Sequence, residues 1–404
     1  TLPVWGKDNI LFISVEEAGS RGLKLKRKGD KMVYAVAFDK SGDVYRSYMD
    51  AAGEDGIPTA FVVDKSGRIA WIGHPEDGLD DVLVELVRGT FDIEVAKKLH
   101  SIDRRIEQAH MDGDWDRAFA AADEAIAIKP PGIGYRMMKF YGYSRWLNQI
   151  DDAVKTAREA FDAVGDDPRK VAAIASEVLS EGDVFRCNTM ASVALKKALK
   201  QAPRDSDVRL AYFQALSATG KNDEAMALAS ETLGTLKGDA GKLNQFAKML
   251  SSPANRERCG DLALRAVALA IEADPEEPAH YIAKFHILHE CKNNKSAAIE
   301  AGQYAVQLAS GDAALLNEFA WGLLTELNTK GQFNELAMAA ADQLFKAPGG
   351  DEWSQLDTIA LAKFENGAVD EAIKLEKRAI EKCESDAAKA SLAEALARFE
   401  AGKK

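Results

Sequence analysis

The sequence predicts an α/β segment followed by an all-α solenoid of about eight stacked helical hairpins. Two observations carry this. Runs rich in β-branched residues are confined to the first 90 or so positions. From about residue 92 they vanish, alanine rises, and one pattern returns every 34 to 38 residues. A period of that length marks a repeated supersecondary unit that buries its apolar face only by stacking on its neighbours.

The front segment reads in order as follows. "NILFISV" (9–15) is a short apolar run expected to form a buried strand, and "MVYAVAFD" (32–39) is a second. "GDVYRSYMDAAG" (42–53) has helical spacing and stops at Gly53. "PTAFVVD" and "RIAWIGH" flank the turn "KSG" (65–67), which predicts a β-hairpin. "EDGLDDVLVELVRG" (76–89) is an amphipathic helix with acids in its first turn, where the helix dipole favours them.

The repeats follow. "GDWDRAFAAADEAIAIKP" (113–130), "NQIDDAVKTAREAFDAV" (148–164), "GKNDEAMALASETLG" (220–234), "NNKSAAIEAGQYAVQLA" (293–309) and "GAVDEAIKLEKRAIEKC" (367–383) share one grammar. Each opens on a turn-former and places a small residue five positions on; most place Ala twelve positions on. The turn-formers are Gly113, Asn148, Gly220, Asn293, Gly331 and Gly367, with Arg258 fitting by alignment and Gly182 marking a degenerate copy. Ala118, Ala153, Ala225, Ala263, Ala298 and Ala372 hold the first small position. Ala125, Ala160, Ala270, Ala305 and Ala379 hold the second. Small side chains let two helices approach closely, and Gly or Asn accepts the tight turn between them. "DAAKASLAEALARFEAGKK" at the end reads as a polar capping helix.

With these residues in view, residues 92–404 resemble the tetratricopeptide family, strongly in the second helix of each hairpin and less in the first, where the family's usual Trp, Gly and Tyr positions are mostly absent. The resemblance implies a groove lined by first helices that binds a protein or peptide. Within "YRMMKFYGYSRW" (135–146), Tyr135, Met138, Arg145 and Trp146 fall at groove positions of the repeat register. Core packing, or docking against the front segment, competes with that reading and outweighs it. Trp321 and Thr325 form a weaker candidate pair further along.

"YMDAAGEDGIPTAFVVDKSGRIAWIGHP" resembles the second half of a TlpA/redoxin-type thioredoxin domain, so residues 1–90 read as a partial thioredoxin-like domain. That resemblance implies a substrate loop at Ile57, Pro58 and Thr59 with a cis peptide bond before Pro58. It also implies an extracytoplasmic thiol–disulfide oxidoreductase acting on protein disulfides. The family's first core strand and Cys-x-x-Cys have no counterpart here, which the reading attributes to truncation, with strand addition by a partner segment as the alternative. The chain alone is therefore expected to be inactive. The competing function is a non-catalytic interaction scaffold with a degenerate thioredoxin-like cap.

Composition narrows the rest. A formal net charge of −12, from 64 acidic and 52 basic side chains, argues against nucleic acid, which needs a basic surface. No apolar run approaches the ~20 residues that span a bilayer. The four cysteines, Cys187, Cys259, Cys291 and Cys383, lie far apart in helical surroundings and read as buried free thiols. His286, His289 and Cys291 could suggest a metal, but the register places both histidines at packing positions, so no metal or cofactor is expected. The basic stretch "KLKRKGDK" (24–31) and the neighbours Glu54 and Asp55 read as solvated loop.

Overall fold

The structure is a computed structural model, and it describes residues 13–17, 35–39, 41–54, 58–75, 78–181 and 185–402. The described chain divides into two compact units, the division falling between Leu228 and Ala229.

The first unit opens with strands β1 (Ile13–Glu17) and β2 (Ala35–Asp39), paired in parallel with Ile13 opposite Ala35. Helix α1 (Asp43–Tyr45) runs on through a π turn at Arg46–Asp50. Strands β3 (Ala60–Val63) and β4 (Ile69–Gly73) form the expected antiparallel hairpin, with a bulge between Val62 and Val63. Asp64 organises its turn: the carboxylate accepts from the backbone N–H of Ser66 at 2.8 Å and of Arg68 at 3.0 Å. Helix α2 (Leu79–Arg88) closes the segment. Among the described residues the four strands form two separate pairs and no common sheet. The described residues thus do not confirm the partial thioredoxin-like domain expected over residues 1–90.

Helix α3 (Ile93–Met111) is the first of the repeat region, and the front segment rests on it: the Arg104 guanidinium donates to the carbonyls of Ala52 and Gly53. The unit continues with α4 (Trp115–Ile128), α5 (Ile133–Tyr141, extended by a π turn at Gly142–Trp146), α6 (Ile150–Val164), α7 (Pro168–Ser180), α8 (Phe185–Gln201) and α9 (Ser206–Ala218). The pairs α3/α4, α5/α6 and α7/α8 are hairpins, and α9 packs on both α7 and α8. The division between the units falls within α10 (Asn222–Thr235).

The second unit holds α11 (Ala240–Leu250), α12 (Arg256–Ala273), α13 (Pro278–His286, extended by a π turn at Ile287–Cys291), α14 (Lys295–Leu308), α15 (Ala313–Thr325), α16 (Asn334–Leu344), α17 (Trp353–Glu365) and α18 (Val369–Lys382). These form four successive hairpins, and α19 (Asp386–Ala401) packs on α18 as the anticipated cap.

The repeat grammar has a direct structural meaning. Gly113, Asn148, Gly220, Asn293, Gly331 and Gly367 all adopt left-handed backbone, with φ between 50° and 83°. For Asn148 and Asn293 this is the conformation that asparagine tolerates better than other side chains carrying a Cβ. The alanines at both small positions are buried, as close helix packing requires. Helix starts are fixed by short acceptors: Asp114, Asp167, Asp205, Asp239, Asn294 and Asp312 each accept from backbone N–H groups of the first turn. One register assignment needs correction. Arg258 is not a turn residue but lies inside α12, because the chain turns at residues 251–255 and Asn255 holds that turn by donating to the Met249 carbonyl. Gly182 lies outside the described residues.

Candidate protein-binding surfaces

In the first unit, successive first helices are linked by side chains one repeat apart. The Tyr135 hydroxyl on α5 donates to Asp103 on α3 at 2.8 Å. The Tyr141 hydroxyl donates to Glu177 on α7. Arg145 donates from Nε to Glu181 at 2.6 Å and lays its guanidinium over the Tyr141 ring, 4.5 Å from the centroid. Burial, with the Glu177 carboxylate beside it, raises the Tyr141 phenol well above its ordinary range, so it stays a donor. Met138 is half-buried, and its spacing from Tyr141 puts the two on one helix face. The face formed by Tyr135, Met138, Tyr141 and Arg145, facing Asp103, Glu177 and Glu181, is the first unit's candidate surface. Tyr141 and the three acids escaped the sequence reading; their signal was the pairing of opposite polar groups at a separation of 32 to 36 residues.

Trp146 is placed elsewhere. It sits at the hairpin edge, 64 % exposed, its ring stacked on Trp115 at 5.9 Å and edge-on to His110 at 6.0 Å. Met111, which follows His110 in the chain, is 72 % exposed. Beneath it, Phe119 and Tyr143 pack at 4.4 Å. Gly142 makes room for them, since a Cβ there would lie 2.6 Å from the Phe119 ring.

In the second unit, Trp321 lies on α15 and is 41 % exposed, while Thr325 turns its hydroxyl back to donate to the Trp321 carbonyl at 2.8 Å. The two share a helix face, but their hydrogen bond is local. Around the π turn of α13, His289 Nε2 lies 2.7 Å from the Asn328 carbonyl, and His286 Nδ1 lies 3.4 Å from Glu290. The histidines thus take separate partners, and among the described residues no set of three metal-ligating side chains converges. A depression of about 350 Å³ here is lined by Arg256, Glu257, His289, Glu290, Cys291 and Asn328.

The thiols are not poised for attack. All four cysteines are free. Burial pushes the Cys187 thiol up to about 11 and raises Cys259 and Cys291 as well. Of the expected substrate loop, Pro58 is exposed and Thr59 half-buried, while Ile57, and with it the Ile57–Pro58 bond, lies outside the described residues.

Comparison with known proteins then assigns the repeat. Residues 191–240 match the tetratricopeptide-repeat model. That segment contains most of α8, all of α9 and α10, and the turn at Gly220. No curated protein matches the sequence. Among solved structures, the crystal structure of yeast Tom70 is similar at 16 % identity over 72 % of this chain, with a TM-score of 0.40. The chain spans 61 % of that protein's length. The human IFIT1 dimer with PPP-AAAA is similar at 11 % identity over 75 % of this chain and 81 % of its own, with a TM-score of 0.32. The Cut9–Hcn1 hetero-tetramer of the APC/C is similar at 13 % identity over 80 % of this chain and 60 % of its own, with a TM-score of 0.29. No thioredoxin-like relative accompanies them among these similarities. No helix among the described residues is long and apolar enough to cross a membrane.

Proposed function

We propose that this chain is a non-catalytic scaffold that binds a protein or peptide on the first-helix face of its tetratricopeptide-type hairpins. The observation that carries the reading is the row Tyr135, Tyr141 and Arg145, with Asp103, Glu177 and Glu181, which puts aromatic, cationic and anionic groups on three successive first helices. Aromatic and arginine side chains are the types that dominate protein interfaces. A thiol–disulfide role draws no support from this chain, whose cysteines all lie in the helical repeats.

Arg145→Glu tests the proposal. Arg145 is half-exposed but Glu181 is largely buried, and the reversal sets a third carboxylate beside Glu177 and Glu181, so it should cost about 1–3 kcal/mol of stability, with the fold checked by circular dichroism. A peptide-display selection on the wild-type protein should yield binders that Arg145→Glu loses by about tenfold or more. Binders indifferent to that charge reversal, or no enrichment at all, would overturn the assignment.

A further inference from the structure

We propose that Asp357 and Glu376 form a carboxyl pair sharing one proton, which fastens the C-terminal cap α19 in place and loosens it when the proton is lost. The geometry begins with Glu376 on α18. It occupies the apolar stripe of that helix with Ala372, Ile373 and Ala379, and it is 0 % exposed. Both of its carboxylate oxygens are buried with no hydrogen-bond partner among fixed donors. A buried polar group without a partner is costly, and an unpaired buried charge more so.

Two helices pack on α18, namely α17 and α19. From α17 the titratable group facing Glu376 is Asp357; from α19 the charged group is Arg398. Arg398 is exposed and spread over the rings of Phe364 and Phe399, 5.5 and 5.2 Å from their centroids, so it only partly offsets two negative charges. At the surface of these helices Lys363 pairs with Glu371 and Lys377 with Glu400.

Two adjacent carboxylates both ionised have no donor between them. One proton changes that: the carboxylic acid of Glu376 donates to the Asp357 carboxylate, and the pair carries a single charge. Burial, with the Asp357 charge second, pushes Glu376 up to about 8, and burial raises Asp357 to about 6. Both folded values lie above the unfolded ones. The folded state therefore holds extra protons, and stability falls as pH rises from the unfolded range near 4.5 through about 8. The cap bears the consequence, because Phe399 and Leu392 of α19 are buried against this same region. Loss of the proton leaves two charges under that helix.

The test is amide hydrogen exchange along α19 in the full chain, corrected for intrinsic base catalysis, from pH 6 to pH 8. Opening of α19 should rise up to about tenfold per pH unit in the wild type, the limit set by release of one proton. In Glu376→Gln, whose amide donates permanently to Asp357, it should stay flat. A direct ¹³C titration of the Glu376 carboxyl decides the matter should that variant fail to fold: a midpoint near 8 supports the shared proton. A midpoint near the ordinary glutamate value, or equal pH dependence in wild type and variant, overturns it.

Discussion

Phe285→Ala probes the claim that each repeat depends on its neighbours for burial. Phe285 on α13 is 0 % exposed and meets Phe319 of α15 and Phe333, just ahead of α16, edge-to-face at 5.4 and 4.9 Å. One ring therefore joins the hairpin α13/α14 to the next. Phe→Ala in a core costs about 3–5 kcal/mol, with each edge-to-face pair contributing roughly 0.5–1.5 of that. The site cannot relax easily into the hole. Gly302 of α14 has no side chain to move in, and a Cβ there would already lie 2.5 Å from Leu336. The expected loss is therefore at the upper end, about 4–5 kcal/mol. Urea unfolding followed by circular dichroism should show it as a lowered midpoint, and as a separate early transition if the second unit yields before the rest. Trp321→Ala, on the exposed face of α15, is the control and should cost under about 1 kcal/mol. A Phe285→Ala loss below about 1.5 kcal/mol, or equal losses in both variants, would refute the view that inter-repeat aromatic packing holds this unit together.

Two further outcomes follow from the turns. Asn293 holds φ at 50°, so Asn293→Ala should destabilise by roughly 1–2 kcal/mol while Asn293→Gly stays close to neutral, as thermal unfolding would reveal. At the β3–β4 turn, hydrogen bonds from the Ser66 side chain and the Arg68 backbone hold the Asp64 carboxyl down to about 2. Its folded value is depressed, so its contribution is present above the unfolded value of 3.8 and lost as pH falls through about 2. Exchange protection of the Arg68 amide should fall over that window in the wild type, and Asp64→Asn should show no such step.

The hairpin turns and their packing were legible in the sequence because each depends on local chemistry. Gly or Asn in left-handed backbone and alanine at a close helix contact leave marks at fixed offsets, and the residues named from those offsets lie where the offsets put them. Arg258 was misplaced because its turn has no Gly or Asn in left-handed backbone; Asn255 fixes it by a side-chain bond instead. The repeat register put Trp146 at a groove position, with core packing or docking as the weightier alternative. The π turn at Gly142–Trp146 inserts a wider turn just before it, which rotates later side chains out of register and sends the indole to the edge beside Trp115. The other π turn in the described repeats, at Ile287–Cys291, falls at the equivalent place and ends in the other asparagine turn. Tyr141 and its acidic partners needed the stacking of one repeat on the next, which no single window contains. The front segment was read from a likeness of motif, and motif alone does not fix how short strands pair over long separations.

The two functional readings make opposite demands on the side chains. Disulfide exchange needs a thiolate, and a thiol held at about 11 is ionised to only about one part in ten thousand at neutral pH. A binding face needs polar groups that can be exchanged for those of a partner. Tyr141, Arg145, Glu177 and Glu181 are already bonded to one another, so a ligand must replace those bonds as it lands. That replacement removes most of the net gain for a poorly matched chain, because an unmatched partner leaves desolvated charges unpaired. A peptide that offers its own cation to Glu181 and its own carboxylate to Arg145 leaves no charge unpaired, and so keeps more of the gain left after the costs of association. On the proposed scaffold reading, such a face would select for sequence more than for bulk hydrophobicity.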